Sequence, residues 1–171
     1  MNIADELLKE HSKAQTLMIQ GAILQSPPLF DELWELLKSG EDPIPQRAAW
    51  VLSHLGDRNP GIIVPVMREA LALLQEPKHD AVHRALVRTM SRQKIPEDYE
   101  GELYDLSIAW IASPLKAVAI RIYCMEIASG IAMPYPELRD EVRMVIEAQM
   151  TWGSAGYKSR GNRVIKRLKR A

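Results

Sequence analysis

Two imidazoles one helical turn apart, His79 and His83 with Asp80 between them, are the side chains of this sequence best spaced to hold a metal ion. Zinc needs three or four ligands, and no clear third follows. The Glu that would act as general base between two such ligands is also missing, and the shorter Asp80 would sit farther from a metal-bound water. Asp80 reads more simply as an N-cap, its carboxylate accepting amides at the start of a helix. Cys124, the single cysteine, lies in an apolar stretch beside Tyr123 and Met125 and reads as an inert core thiol. There is no Gly-rich phosphate loop, no G-x-S-x-G elbow and no Cys/His cluster, so no catalytic residue, metal or cofactor is expected.

Basic side chains form the other chemically suggestive pattern. Arg84, Arg88 and Arg92 recur at helical i, i+4, i+8 and predict one solvent-accessible cationic face. Between residues 158 and 170 stand Lys158, Arg160, Arg163, Lys166, Arg167, Lys169 and Arg170, with no acid among them. Such a run suits phosphates of nucleic acid, or an acidic protein or membrane surface. It equally suits a solvated helical end, because cations near a helix C-terminus complement the macrodipole. Aromatic interleaving is limited to Trp152 and Tyr157, less than a single-strand binder would use.

The elements that must position these residues are helices. Apolar residues fall at helical spacing throughout, with no run of strand-like alternation. Leu29, Leu33, Leu36 and Leu37 mark one helix, and Ala48, Val51, Leu52 and Leu55 the next, which stops at Gly56-Asp57. Ile62 through Leu74 predicts another, followed by helices carrying Val82 to Met90, Leu103 to Ile111, Val118 to Met125, Leu138 to Met150, and Val164 to Leu168. Prolines punctuate the gaps, since proline lacks the amide a helix interior requires but fits its first turn. Ten or so helices with short connections must pack as antiparallel neighbours.

The helices repeat. Asp42-Pro43, Glu76-Pro77 and Ser113-Pro114 each precede a helix rich in small residues: Ala48-Ala49, Ala81 with Ala85, and Ala117 with Ala119. The Ala-Val pairs at 81–82 and 117–118 lie 36 residues apart, and Arg47 and Arg84 lie 37 apart. In these residues the chain resembles the HEAT-repeat family, whose first (A) and second (B) helices join through an acid-Pro turn followed by Val-Arg and alanines. The resemblance is clearest over residues 28–130. It implies an all-α, right-handed α-α superhelix, a solenoid of about five helical hairpins. Residues 1–171 would form one domain, with 1–25 and 151–171 as degenerate capping repeats. In that family the B helices line the concave side, where partners bind. The tetratricopeptide alternative has a similar period, but Trp50 is not followed by its Leu-Gly and Tyr.

By this alignment Lys13, Arg47, Arg84 and Arg160 take comparable early positions in successive B helices, while the fourth repeat has Ile120 there with Arg121 beside it. One reading is a concave basic stripe of Lys13, Arg47, Arg84 and Arg88, continued by a C-terminal basic cap of Arg160, Arg163, Lys166 and Arg167. The other is a ladder in which each arginine bonds Asp42, Glu76 or loop carbonyls of a neighbouring repeat. Trp34, Trp50, Trp110 and Trp152 give a more distant resemblance to HEAT-like DNA alkylation repair glycosylases, which hold a damaged nucleotide between aromatic walls near a catalytic Asp. That resemblance would make Trp50 and Trp110 walls and Asp57 or Asp105 the acid. No specific motif of those enzymes aligns here, and tryptophan at helical spacing usually packs.

Bulk properties narrow the classes. The chain has 171 residues, 47% of them hydrophobic and 26% charged, as in an ordinary globular protein. No apolar run approaches the roughly 18 residues that would span a bilayer. With one cysteine and no export signal, a cytoplasmic location is expected. Net charge is zero, but it runs from −5 over residues 1–42 through −1 over 43–113 to +6 over 114–171. The expected function is a non-enzymatic scaffold that binds an unidentified protein partner along its concave face. The alternative is nucleic-acid binding through the basic C-terminus; no membrane span is expected.

Overall fold

The computed structural model describes residues 1–171. Ten α-helices follow one another with no strand: α1 (Ile3–Lys9), α2 (Lys13–Gln25), α3 (Pro28–Ser39), α4 (Ile44–Arg58), α5 (Met67–Gln75), α6 (Asp80–Met90), α7 (Glu97–Ala112), α8 (Val118–Ala132), α9 (Pro136–Ala148) and α10 (Ala155–Lys169). They pair in chain order into five hairpins. No helix is long and apolar enough to cross a membrane.

Local chemistry sets the helix starts. Asn2, Ser12 and Ser154 cap α1, α2 and α10 by accepting the amides of Asp5, Gln15 and Tyr157. Pro28 and Pro136 occupy the first turns of α3 and α9, where a missing amide costs nothing. The structure departs from the sequence expectations at two helix starts. Ile62 to Leu74 is not one helix: Pro60–Val66 forms a 3-10 segment and α5 begins only at Met67, because Pro65 interrupts the amide series an α-helix would need. His79, not Asp80, caps α6, its Nδ1 accepting the amide of Ala81 at 3.1 Å.

The chain divides into two compact units, Met1–Arg92 and Gln93–Ala171. In the first, α1, α3 and α5 form one layer and α2, α4 and α6 the other, around Leu33, Leu37, Leu52, Leu55, Met67, Leu71 and Leu86. In the second, α7 and α9 form one layer and α8 and α10 the other, around Leu103, Ile111, Ile120, Met125, Ile146 and Tyr157. Each such side chain, fully buried, contributes about 1.5–3 kcal/mol. Helices this close need small residues where they cross, within a layer and between layers. A Cβ on Gly56 of α4 would stand 2.8 Å from Thr89 Cγ2 of α6, and one on Gly161 of α10 would stand 2.9 Å from Ile146 Cγ2 of α9. Ala48, Ala49 and Ala85 are buried as the packing argument requires, whereas Ala81, Ala117 and Ala119 stay partly exposed.

Candidate interaction surface

The polar slot at the fourth position of the second-layer helices holds Arg47 in α4, His83 in α6 and Arg121 in α8. Each serves carbonyls at or just past the C-terminal end of a first-layer helix, where intrahelical donors run out. Arg47 Nη1 donates to Leu7 O at 2.7 Å and Leu8 O at 3.4 Å. His83 Nε2 lies 3.2 Å from Leu73 O and 3.1 Å from Glu76 O, so with two acceptors facing it this nitrogen carries the proton. Arg121 donates from Nε at 3.0 Å and Nη2 at 2.8 Å to Ile111 O, reaches Gln149 Oε1 at 3.3 Å, and stacks 4.4 Å from the Tyr157 ring. The slot residue of α6 is therefore His83 and that of α8 is Arg121, each one place from the position the sequence alignment counts, because successive helix starts shift by 36 and then 38 residues.

Freed from the slot, Arg84 is exposed and has no acidic partner. Arg88 and Arg92 share its helix face but converge on Asp57 of α4, with Nη2–Oδ1 at 3.0 Å and Nη1–Oδ1 at 2.9 Å. Arg88 Nη1 also donates to Ser53 O at 3.3 Å. His54 Nδ1 stands 3.8 Å from the same carboxylate, and burial outweighs the opposing pull of Asp57 and keeps its pKa below the ordinary imidazole value. Trp50, half-buried one turn earlier, meets His11 edge-on at 5.1 Å and His54 at 6.1 Å. Lys13, exposed at the start of α2, completes the cations of this face.

The second unit repeats the clamp. Glu126 of α8 takes Arg160 Nη1 and Arg167 Nη2 of α10, each at 2.8 Å, and Arg167 also bonds Ser129 Oγ at 2.5 Å. Burial raises the Glu126 carboxyl, but the two guanidiniums outweigh it and hold it below the usual carboxylate value. Arg163 and Lys166 of the same helix are exposed and form no ion pair. So the eight basic positions of the sequence argument separate: Arg47 is structural, Arg88, Arg160 and Arg167 are clamped, and Lys13, Arg84, Arg163 and Lys166 are open.

A feature that the sequence count along the chain misses is charge segregation by layer. First-layer helices of the first unit carry 3 basic and 6 acidic side chains, and its second-layer helices 5 and 2. In the second unit the first layer carries 2 and 9, and the second layer 7 and 1. Residues separated in sequence by a whole helix alternate in sign, and the fold sorts them onto two sides of each unit.

His79 and His83 serve a helix cap and a carbonyl pair respectively. Trp34 is buried, its Nε1 donating to Glu69 Oε2 at 3.0 Å, Trp110 lies under the Lys116 ammonium at 3.8 Å, and Trp152 is 85% exposed. Burial pushes the Cys124 thiol up to about 12, so it carries no thiolate at neutral pH.

Against known proteins, the family described as HEAT repeat domain matches residues 3–168. The chain belongs to that family. No curated protein and no solved structure gives a match. HEAT-repeat membership makes the chain a module of the protein-interaction kind, and the two-helix repeat accounts for the five hairpins of the fold.

Proposed function

We propose that this HEAT-repeat chain is a cytoplasmic, non-enzymatic interaction module that holds a protein segment on the exposed face of its second-layer helices. The observation that carries this reading is the sorting of charge by layer. Packing alone requires no such sorting, and the residues that do serve packing, Arg47, His83 and Arg121, are distinct from the open cations Lys13, Arg84, Arg163 and Lys166. A predominantly cationic face beside exposed apolar side chains is what a partner surface needs. Site-specific photo-cross-linking tests it: a cross-linker replacing Leu17 of α2 is expected to capture protein, and one replacing the exposed Met144 of α9 is not. Equal capture from both positions, or none from Leu17, overturns the assignment of the face.

One observation favours a second reading. Arg163, Lys166 and Arg170 are exposed along α10 with no acid beside them, which suits nucleic-acid phosphates and, more narrowly, a relative of the HEAT-like alkylation repair glycosylases. Within that narrower form Asp57 is poorly placed as the acid, since its Oδ1 is already engaged by the Arg88 and Arg92 guanidiniums. Binding to duplex DNA that falls steeply with salt, and less steeply after neutralising Lys166 and Arg163, would carry this reading. Absence of binding at low salt removes it.

A further inference from the structure

In the first unit, helical spacing arranges the second-layer face into three stripes. On α2, Lys13, Leu17, Gln20 and Leu24 share one side, and Gln20 Nε2 of that side donates to the His54 carbonyl, which sets the stripe beside α4. On α4 the stripe is Trp50, His54 and Asp57; on α6 and its end it is Arg84, Arg88 and Arg92. Beyond the exposed Lys13 at its start, the α2 flank is apolar where it is open, with Leu17 41% and Leu24 45% exposed. Past the exposed Asp80 that starts α6 its flank is cationic, and its charge is incompletely matched: two guanidiniums share Asp57, and Arg84 forms no ion pair.

We propose that this face binds an acidic amphipathic protein segment, its apolar side against Leu17 and Leu24 and its carboxylates against Arg84, Arg88 and Arg92, with Asp57 as a resident carboxylate competing for two of those arginines. The proposal rests on the reading of the chain as a protein-interaction module and names the chemistry of the partner. Charge complementarity fixes the sign. The three arginines recur once per turn, about 5–6 Å apart, which matches carboxylates one turn apart on a partner helix. The exposed leucines fix the class: they offer nothing to a phosphate backbone, whereas an amphipathic segment removes them from water at about 25 cal/mol per Å². Asp57 in the middle of the ladder also repels a continuous row of phosphates, while a peptide can place its acids to either side of it.

Two substitutions with opposite expected signs test this, using the full chain and fluorescence anisotropy. The probes are a labelled amphipathic Leu/Glu peptide, its Leu/Lys and Ser/Glu counterparts, and a short labelled duplex DNA. The Leu/Glu peptide is expected to bind and both counterparts to bind at least about tenfold more weakly. Arg84→Glu, at an exposed position with no partner to lose, is expected to weaken binding about tenfold. Asp57→Asn, which leaves Arg88 and Arg92 free for the incoming acids, is expected to strengthen it about threefold. A gain of affinity cannot arise from misfolding, so it separates the proposal from damage to the fold. If Asp57→Asn weakens binding or leaves it unchanged, Asp57 is no competitor and the proposal is overturned. If DNA binds more tightly than the Leu/Glu peptide, the class of partner is wrong. If peptide binding is lost on Lys166→Glu instead of Arg84→Glu, the placement on the first unit is overturned while the chain remains an interaction module. Cross-linking from Leu17 to a protein segment lacking acids would overturn the acidic partner alone, and no cross-linking from Leu17 would remove the parent reading.

Discussion

In the first unit Asp57 holds Arg88 and Arg92 at a carboxylate that is 30% exposed, whereas in the second Glu126 holds Arg160 and Arg167 at one that is 18% exposed. The slot arginines differ in the same direction. Arg47 of the first unit is half-buried and reaches its carbonyls with one nitrogen, while Arg121 of the second is buried, uses two nitrogens and lies against an aromatic ring. The same device, a cation bridging helices, is thus more deeply buried in the second unit and more open to water in the first. Where desolvation is deep, the interaction cannot be exchanged for another; where water reaches it, a partner's carboxylate can take the resident one's place.

The comparison breaks most readily at the slot. Arg121→Ala is expected to cost about 3 kcal/mol, because it strands the Ile111 carbonyl and removes packing against Tyr157. Arg47→Ala is expected to cost about 1 kcal/mol. Urea unfolding measures both, and equal losses would dissolve the distinction between the units. Next in size, Glu126→Gln is expected to cost about 2 kcal/mol, and Asp57→Asn less than about 1 kcal/mol because its ion pairs are open to water.

The Glu126 clamp also predicts an acid limb. Its folded-state pKa lies below the ordinary carboxylate value of 4.5, so its stabilisation is complete above that pH and is lost as pH falls through the lower folded value. Amides of α8 and α10 should then lose hydrogen-exchange protection as pH drops below 4.5, faster in wild type than in Glu126→Gln relative to their neutral-pH values. A wild-type profile parallel to that of the variant would show that the clamp adds nothing.

Smaller effects are expected at glycines. Gly56→Ala should cost about 1–2 kcal/mol, since the new methyl meets the buried, β-branched Thr89. Gly161→Ala should cost a similar amount, because Met150 can move its flexible end aside but the buried, β-branched Ile146 cannot. Gly21, in the interior of α2 with open space at its Cβ position, should gain about 0.5–1 kcal/mol on substitution by Ala. A loss at Gly21 would mean that something approaches α2 closely at that point.

Much of the architecture was legible because helix periodicity and proline punctuation act over short distances, and the HEAT-like turns at Asp42-Pro43, Glu76-Pro77 and Ser113-Pro114 fixed the repeat. What escaped depends on where a helix starts. A count of 37 residues aligns Arg84 with Arg47, but helix starts 36 apart put His83 in the buried slot and turn Arg84 outward by about 100°. A 3-10 segment hid within the Ile62 to Leu74 pattern because apolar spacing survives a change of helix type, and only Pro65 records it. Nor could the run of Arg84, Arg88 and Arg92 reveal that two of its members are engaged, since their partner Asp57 lies on another helix.

The sorting of acids and bases onto opposite layers has a consequence for how the protein behaves before it meets any partner. With an isoelectric point near 6.9 it is nominally uncharged at neutral pH. Each unit is nonetheless a strong electric dipole, and a dipole orients in an external field even when it has no net charge to drift in it. At low ionic strength the chain should therefore adhere to both anion- and cation-exchange matrices at its isoelectric pH, by opposite sides, and release from both at moderate salt once the Debye length falls to roughly 8–10 Å.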